Sequence, residues 1–384
     1  MKVDITPDGL GMELPEELAH LSDYSKYAKY IVDDQVVGFF IPQFTEDGKM
    51  NSDWYTFRRW HLGASSAGSF LGLDEYSDPT KHFWEKINLP AQKINTEFTR
   101  WGLALEPVIA DMWEYWTGDD EGYLDQSFSG KKVREKHEIP CYAINRNFPW
   151  LSASLDYIVP PGQVEPFNKE VIDFWFPLEI KSISPFAAEK YELGLPAKYV
   201  VQVQQQCIVM GVTYAEIAFL TAGHKFRVLP IHMDLSICQE LLEKTRDFWE
   251  RVLAARELVS GYDFLNEEEK LDIDRQLQTL EPEPSGNDAF KEFFKAKYKF
   301  SREESKREGT QEEWDLAVNY KKLNLEISNL IKEKDQVMNK IKLYSALDEE
   351  VTFENLGKKG RVTNRRPKEG KAYFGVNIKG WENE

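Results

Sequence analysis

The chain has 384 residues, 42% hydrophobic and 29% charged, with a formal net charge of −17, which fits one large domain or a core with an appendage. No stretch approaches the roughly 20 apolar residues of a membrane helix, and Met1-Lys2-Val3-Asp4 leads into no apolar signal segment, so a cytoplasmic protein with no membrane partner is expected. Three scattered cysteines (Cys141, Cys207, Cys238) without CxxC spacing exclude a disulfide framework or zinc knuckle, and the acidic total excludes a protein coated in nucleic acid while leaving room for a local binding groove.

Leu14, Leu18 and Leu21 recur at helical steps, and Tyr30–Val32 with Val36–Ile41 read as a hairpin turning at Asp33-Asp34. Ser52 or Asp53 is positioned to cap a helix carrying Trp54, Phe57 and Trp60. Ala64 to Leu71 is small and apolar, suited to close packing, and Asp78-Pro79-Thr80 opens a further helix. From Thr96 to Trp116 the spacing of Trp101, Leu105, Val108, Ile109, Met112 and Trp116 predicts a longer amphipathic helix.

The period then changes. Residues 132–139, 150–159, 170–181 and 215–230 read as strands, with a helix at 196–212 and a long helix at 235–258. The order predicts an α/β or α+β core with a central sheet. Residues 281–287, Glu-Pro-Glu-Pro-Ser-Gly-Asn, read as a linker. Beyond it, Leu316, Tyr320, Leu323, Ile327, Leu330, Lys334, Val337, Ile341 and Tyr344 alternate steps of four and three, a heptad seam weakened by Lys334. Such a helix either pairs with another or packs on the core. The expected domains are 1–280, 288–347 and 348–384. The last returns to strand-like pieces and carries eight Lys/Arg against Glu369 alone between Lys358 and Lys379, with Tyr373 and Phe374 interleaved. Basic plus aromatic suits nucleic acid, and a solvated hairpin suits it equally.

The chemistry concentrates in Ser154-Leu155-Asp156 and Leu178-Glu179-Ile180-Lys181. Alternation in a strand places Glu179 and Lys181 on one face. Burying them there is costly unless they pair or a function uses them. Asp156, Glu179 and a backbone carbonyl make an oxygen-rich set suited to Mg2+ or Mn2+, and a neighbouring lysine can orient the attacking water and neutralise developing charge. A cross-strand salt bridge explains the bare motif equally well. Three features add weight: Glu106 on the predicted helix, Gln202 and Gln204 in an otherwise apolar helix, and Arg58-Arg59 before Gly63-Ala64-Ser65-Ser66. Arginine forks match phosphate. Gln205 and Gln206 read as helix-surface residues.

Taken in order, Trp60-His-Leu-Gly-Ala-Ser65, Trp101-Gly-Leu-Ala-Leu-Glu106-Pro, Ser152-Ala-Ser-Leu-Asp156, Leu178-Glu-Ile-Lys-Ser182 and Tyr199-Val-Val-Gln-Val-Gln204 resemble the phage lambda exonuclease family, the YqaJ-type viral recombinases of the PD-(D/E)XK nuclease superfamily, over residues 54–260. The resemblance implies an α/β fold, a PD-(D/E)XK nuclease core with a mixed central β-sheet flanked by helices, to which the C-terminal helical (coiled-coil) arm and small basic β element are added. It implies a Mg2+-dependent DNA exonuclease, 5′-to-3′ on double-stranded DNA ends in phage-type recombination, using two metal ions with Mn2+ as a substitute. By the resemblance, Asp156, Glu179 and the Ile180 carbonyl are metal ligands, with Glu106 the acid from the preceding helix. Lys181 is the catalytic lysine, and Gln202 stands near metal and scissile phosphate. Arg58, Ser65 and Ser154 match positions that hold a terminal 5′ phosphate, with Arg59 able to replace Arg58 by a small shift. A related endonuclease or single-strand-preferring nuclease is the alternative, and a catalytically silent DNA-binding or assembly protein a third. The resemblance also implies a phage or prophage protein in a bacterial host, a single-strand annealing protein as partner, and a homo-oligomer. The sequence departs from the family in Leu155, where a proline is usual, and in the long loop between Asp156 and Glu179.

Overall fold

The computed structural model describes residues 36–43, 45–47, 49, 51–87, 97–116, 132–139, 141–165, 168–190, 194–297, 308–345, 350–355, 358–365 and 373–378. The expected helix around Leu14–Leu21 and the strand at 30–32 lie outside these residues. The chain divides into two compact units, Met1–Lys299 and Phe300–Glu384.

In the first unit the described elements are β1 (Val36–Phe40), α1 (Ser52–Trp60), β2 (Leu62–Gly63), a 3-10 turn at Ala64–Ser66, α2 (Ala67–Phe70), α3 (Pro79–Ile87) and α4 (Glu97–Tyr115). Short strands follow: β3 (His137–Glu138), β4 (Cys141–Asn145), β5 (Leu151–Ser154), β6 (Tyr157–Val159), β7 (Gln163–Val164) and β8 (Val171–Ile172). Then come β9 (Phe176–Ile183), α5 (Pro185–Lys190), α6 (Ala197–Met210), β10 (Tyr214–Thr221), β11 (Lys225–His232), α7 (Leu235–Val259), α8 (Glu267–Leu280) and α9 (Asp288–Lys297).

Two sheets share the work. One has the order β1-β4-β5-β2, the other β11-β10-β9-β6-β3. In the second, β9 and β10 run parallel while the neighbouring pairs are antiparallel. A parallel pair needs a crossover, and α5 with α6 supplies it. The chain leaves the first sheet at Ser154 and joins the second at Tyr157, opposite Leu178, so Asp156 sits at the handover between sheets. The described half of the expected hairpin, β1, pairs with β4, a strand not foreseen from the sequence, and the long predicted strands are interrupted by turns.

The faces of β9 explain the helices. Phe176, Leu178 and Ile180 join Ile109, Ala110, Trp113, Tyr214 and Ala218 in one apolar cluster under α4. Ile183, Ile217 and Phe219 join the larger cluster with α6 and α7. The buried stripe is Ile109, Met112 and Trp113 of α4 with Trp116 just past its end, whereas Trp101 is 60% exposed and Val108 is exposed, a correction to the predicted stripe. Beneath α4, Glu216 of β10 is fully buried. It accepts from Trp113 Nε1 at 2.7 Å, from Tyr214 at 2.7 Å and from both terminal nitrogens of Arg134 at 2.7 and 2.8 Å. That network ties α4 and the segment before β3 to the sheet.

Every described residue from Val201 to Met210 in α6 is buried. Gly211 ends the helix at φ 66°, where its N–H reaches the carbonyls of Cys207 and Ile208, a left-handed cap that glycine adopts without a Cβ clash. α1 is capped by Asn51, whose side chain accepts from Asp53 N–H, so the cap is one residue earlier than Ser52. The segment read as a linker is bonded into this unit. Trp84 donates to Glu281 at 2.7 Å, Ser285 to Asp78, and Asn287 to the Ser77 carbonyl at 3.1 Å.

The second unit contains α10 (Gln311–Tyr344) and a meander of β12 (Glu350–Asn355), β13 (Lys358–Arg365) and β14 (Tyr373–Ile378). Thr310 and Glu313 form a reciprocal capping box at the start of α10. No residue of its 34 is buried.

Candidate active site

Glu179 is the centre of the arrangement. It is 2% exposed, on the face of β9 that meets α6. Its Oε1 accepts from Gln202 Nε2 at 2.6 Å and from Lys181, and its Oε2 accepts from Gln206. Gln202 and Gln206 are one helical turn apart, so both amides face the same carboxylate. Asp156, at the handover between sheets, accepts the Ile180 N–H at 2.9 Å. Lys181 lies 5.2 Å from the centre of the Tyr199 ring.

The remaining glutamines turn inward as well. Gln205 donates to the carbonyls of Leu62 and Ser152, and Gln204 bridges the His232 carbonyl and Asp234 N–H. The expectation that Gln205 and Gln206 face solvent is therefore overturned, and Gln204 is a structural bridge. A polar run in an apolar helix was read as surface, but here its partners are backbone groups of three neighbouring elements and one buried acid.

Arg58, in the last turn of α1, donates to Ser65 Oγ at 3.3 Å. Two basic side chains, buried Lys86 and partly buried Arg256, hold this helix end from behind. Lys86 donates to the carbonyls of Arg58 and His61, the latter at 2.7 Å, and Arg256 donates to the Arg59 carbonyl at 2.8 Å while stacking on Trp60 at 4.0 Å. Cations at a helix C-terminus satisfy its free carbonyls and complement its dipole. Neither was singled out in the sequence; both come from elements far along the chain.

One cleft of about 720 Å³ is lined by Arg58, Arg59, Ser65, Glu106, Ser154, Asp156, Glu179, Lys181 and Gln202. Ile180 lines an adjoining lobe that shares Glu106, Asp156, Lys181 and Gln202. The fold thus brings together residues from α1, the 3-10 turn, α4, both sheets and α6.

The model of the YqaJ-like viral recombinase domain matches residues 53–214, the stretch that carries these side chains. Over these residues the chain is similar to that family. The mixed sheet flanked by helices is the α/β architecture expected from the sequence. Among solved structures, an alkaline exonuclease (LHK-Exo) from Laribacter hongkongensis is similar at 17% identity over 55% of this chain and 96% of that one, with a TM-score of 0.41. LHK-Exo in complex with dAMP is similar at 17% identity over 56% and 100%, with a TM-score of 0.42. The protein SSO0001 is similar at 12% identity over 53% and 87%, with a TM-score of 0.26. No curated protein sequence matches the chain.

The electrostatics of the YqaJ-like domain follow from its charges. Loss of solvent, then Glu179, raises the Asp156 carboxyl well above its ordinary range. Burial raises Glu106, with Lys181 opposing and Glu179 adding to the rise. Burial alone would lower Lys181, but Glu179 and then Asp156 outweigh it and hold the ammonium above its usual value. Three acids thus share one lysine. Among the described residues no three His, Cys, Asp or Glu side chains form a ready-made metal cage, since Glu179 is engaged by Lys181 and two amides. The donor set nevertheless fits a hard divalent cation: carboxylate oxygens, an adjacent backbone carbonyl and an excess of negative charge.

Proposed function

We propose that the YqaJ-like domain is a metal-dependent DNA exonuclease that starts from the 5′ end of duplex DNA and hydrolyses phosphodiester bonds in phage-type recombination. The observation that carries this reading is the single cleft in which Glu106, Asp156, Glu179, Lys181 and Gln202 stand beside Arg58, Ser65 and Ser154. A nuclease needs acids for a metal, a cation for the phosphate and a means of excluding the wrong substrate. Here the acids and the arginine–serine pair line one groove.

Asp156, Glu179, Glu106 and the Ile180 carbonyl would hold Mg2+, as two ions with Mn2+ as a substitute. A metal held there would supply Lewis-acid chemistry, polarising a phosphoryl oxygen and lowering the pKa of a bound water. Lys181, kept cationic by its acidic neighbours, donates to the attacking water or a phosphoryl oxygen and offsets the charge that develops. Gln202 fixes Glu179 on one side and presents its amide to the cleft. Arg58, braced by Ser65 and by the Lys86 contact behind it, offers a planar fork to the terminal phosphate; Arg59 stands beside it.

The test uses the full chain, Mg2+ and end-labelled duplexes with and without 5′ phosphate. Digestion from the 5′-phosphorylated end is expected, and its loss in Lys181→Ala and Asp156→Ala with the far-UV spectrum unchanged. Wild-type cleavage by Lys181→Ala, or equal digestion of all ends, would overturn the reading. A second prediction concerns assembly. The seam residues Leu316, Tyr320, Leu323, Leu330, Val337 and Tyr344 are all exposed, and leucines alternating with Ile327 suit pairing with the same helix of another copy. In the full chain, Leu323→Lys with Leu330→Lys should reduce the solution mass to that of one chain; an unchanged mass would refute assembly through α10.

A further inference from the structure

The cleft has a second lobe that, of the residues proposed to hold the terminal phosphate, only Ser65 reaches. It shares Ser65, Glu106, Asp156, Lys181 and Gln202 with the first lobe, but carries Ser182, Lys198 and Tyr199 where the first carries Arg58, Arg59 and Ser154. Its volume is about 450 Å³, room for a nucleotide-sized ligand. If the strand enters with its terminal phosphate at Arg58 and is cut beside Asp156, it must continue through this lobe.

We propose that Lys198 contacts the backbone phosphate that follows the scissile one, an inference that rests on the nuclease reading above. The ammonium of Lys198 is placed in advance. It donates to Asp74 at 3.0 Å and lies 5.1 Å from the centre of the Tyr76 ring and 5.4 Å from that of Tyr199. A lysine ammonium has three N–H donors, and one is given to Asp74. The backbone behind it is also fixed, because Gly68 of α2 lies so close that a Cβ there would stand 2.6 Å from the Lys198 Cβ. A cation held on a rigid helix at the mouth of an acidic cleft loses little freedom when a phosphate arrives. Tyr76, 78% exposed, leaves the approach to it open and offers a face on which a base can stack.

The competing role for this lysine is structural: the Asp74 pair would only pin the loop before α3 to α6. Two variants separate the roles. Asp74→Asn weakens the ion pair but keeps the cation, and its amide oxygen can still accept the Tyr76 N–H that Asp74 accepts at 3.0 Å. Lys198→Met breaks the pair and removes the cation. The experiment measures binding of the full chain to a short 5′-phosphorylated duplex in Ca2+, and to the same duplex carrying a neutral methylphosphonate at the second linkage from the 5′ end.

Lys198→Met should bind the ordinary duplex about tenfold more weakly, with the slope of log affinity against log salt reduced by about one. Asp74→Asn should bind within about twofold of wild type. On the methylphosphonate duplex, wild type should fall to the level of Lys198→Met, which should not fall further. Equal binding by Lys198→Met and wild type, equal losses in both variants, or additive losses from variant and methylphosphonate would overturn the proposal. A wild-type protein that neither binds nor cleaves duplex DNA would instead overturn the nuclease reading itself.

Discussion

Gln206 donates to the Oε2 of Glu179 from the buried side of α6, opposite the oxygen that Gln202 and Lys181 share. The acid is therefore clamped at both oxygens by a single helix. Gln206→Leu leaves Oε2 without a partner in a buried setting and should cost about 1–3 kcal/mol of stability. Cleavage should fall further than stability explains, because Glu179 then loses the bond that fixes its second oxygen. Urea unfolding and single-turnover cleavage of the same preparation check both; unchanged stability would show that the amide is dispensable.

Arg58 and Ser65 meet at 3.3 Å at the end of α1. Charge-assisted bonds to phosphate contribute about 1.5–3 kcal/mol each, so Arg58→Ala should lower the preference for 5′-phosphorylated over 5′-hydroxyl ends by about tenfold or more. Arg58→Lys should recover the charge but only part of the preference, since the fork is lost. Competition between the two duplexes in one reaction reads the ratio directly. An unchanged ratio would move the phosphate grip to Arg59.

His61 gives the fold an acid-sensitive point. Burial is the main cause that pushes its imidazole down to about 3 from 6.5. Below pH 6.5 the unfolded chain binds a proton that the folded one refuses, so this contribution to stability is present above 6.5 and is lost as pH falls toward 3. Between pH 7 and 5 the loss amounts to about 2 kcal/mol from this group. His61→Gln should flatten the dependence in that window when unfolding midpoints are compared at the two values.

Lys86 acts in the opposite half of the scale. Burial, then Arg58, pushes its ammonium down to about 7. Between pH 7 and 10.5 the unfolded chain holds a proton that the folded one has released, so stability should rise with pH there. Lys86→Met should remove that slope. It should also weaken the hold on the end of α1, seen as a reduced end preference of the kind expected for Arg58→Ala.

The Glu216–Arg134 pair lies on the far side of the sheet from the cleft. Arg134→Met leaves a fully buried carboxylate uncompensated and should cost about 3–5 kcal/mol, whereas Arg134→Met with Glu216→Leu should recover much of it. Thermal unfolding of the two proteins distinguishes this from a pair that is merely decorative.

Much of the architecture can be read along the chain because local periods were obeyed. The alternation in Leu178–Lys181 places Glu179 and Lys181 together on one face, and the apolar run of α6 marks a central helix. What escaped depends on neighbours that are distant in sequence. Lys86 and Arg256 look like ordinary helix charges until they are seen bonded to the carbonyls of Arg58 and Arg59. Gln206 carried a usable signal, its spacing of four from Gln202, but a run of three consecutive glutamines masks which of them share a face. Trp101 sits at helical spacing with the core yet lies beyond the sheet that the rest of α4 covers. Glu-Pro-Glu-Pro has the composition of a linker, and only hydrogen bonds to Trp84, Ser77 and Asp78 reveal a docked segment.

Asp156 belongs to neither sheet and depends on both: β5 brings the chain to it and β6 carries it away beside β9. A chain emerging in order from its N-terminus has made Asp156 well before Glu179, and Glu179 before the helix that clamps it. The acids' surroundings are complete only where the two sheets and α6 meet, so a chain cut short before Gln206 would hold the acids without their clamp.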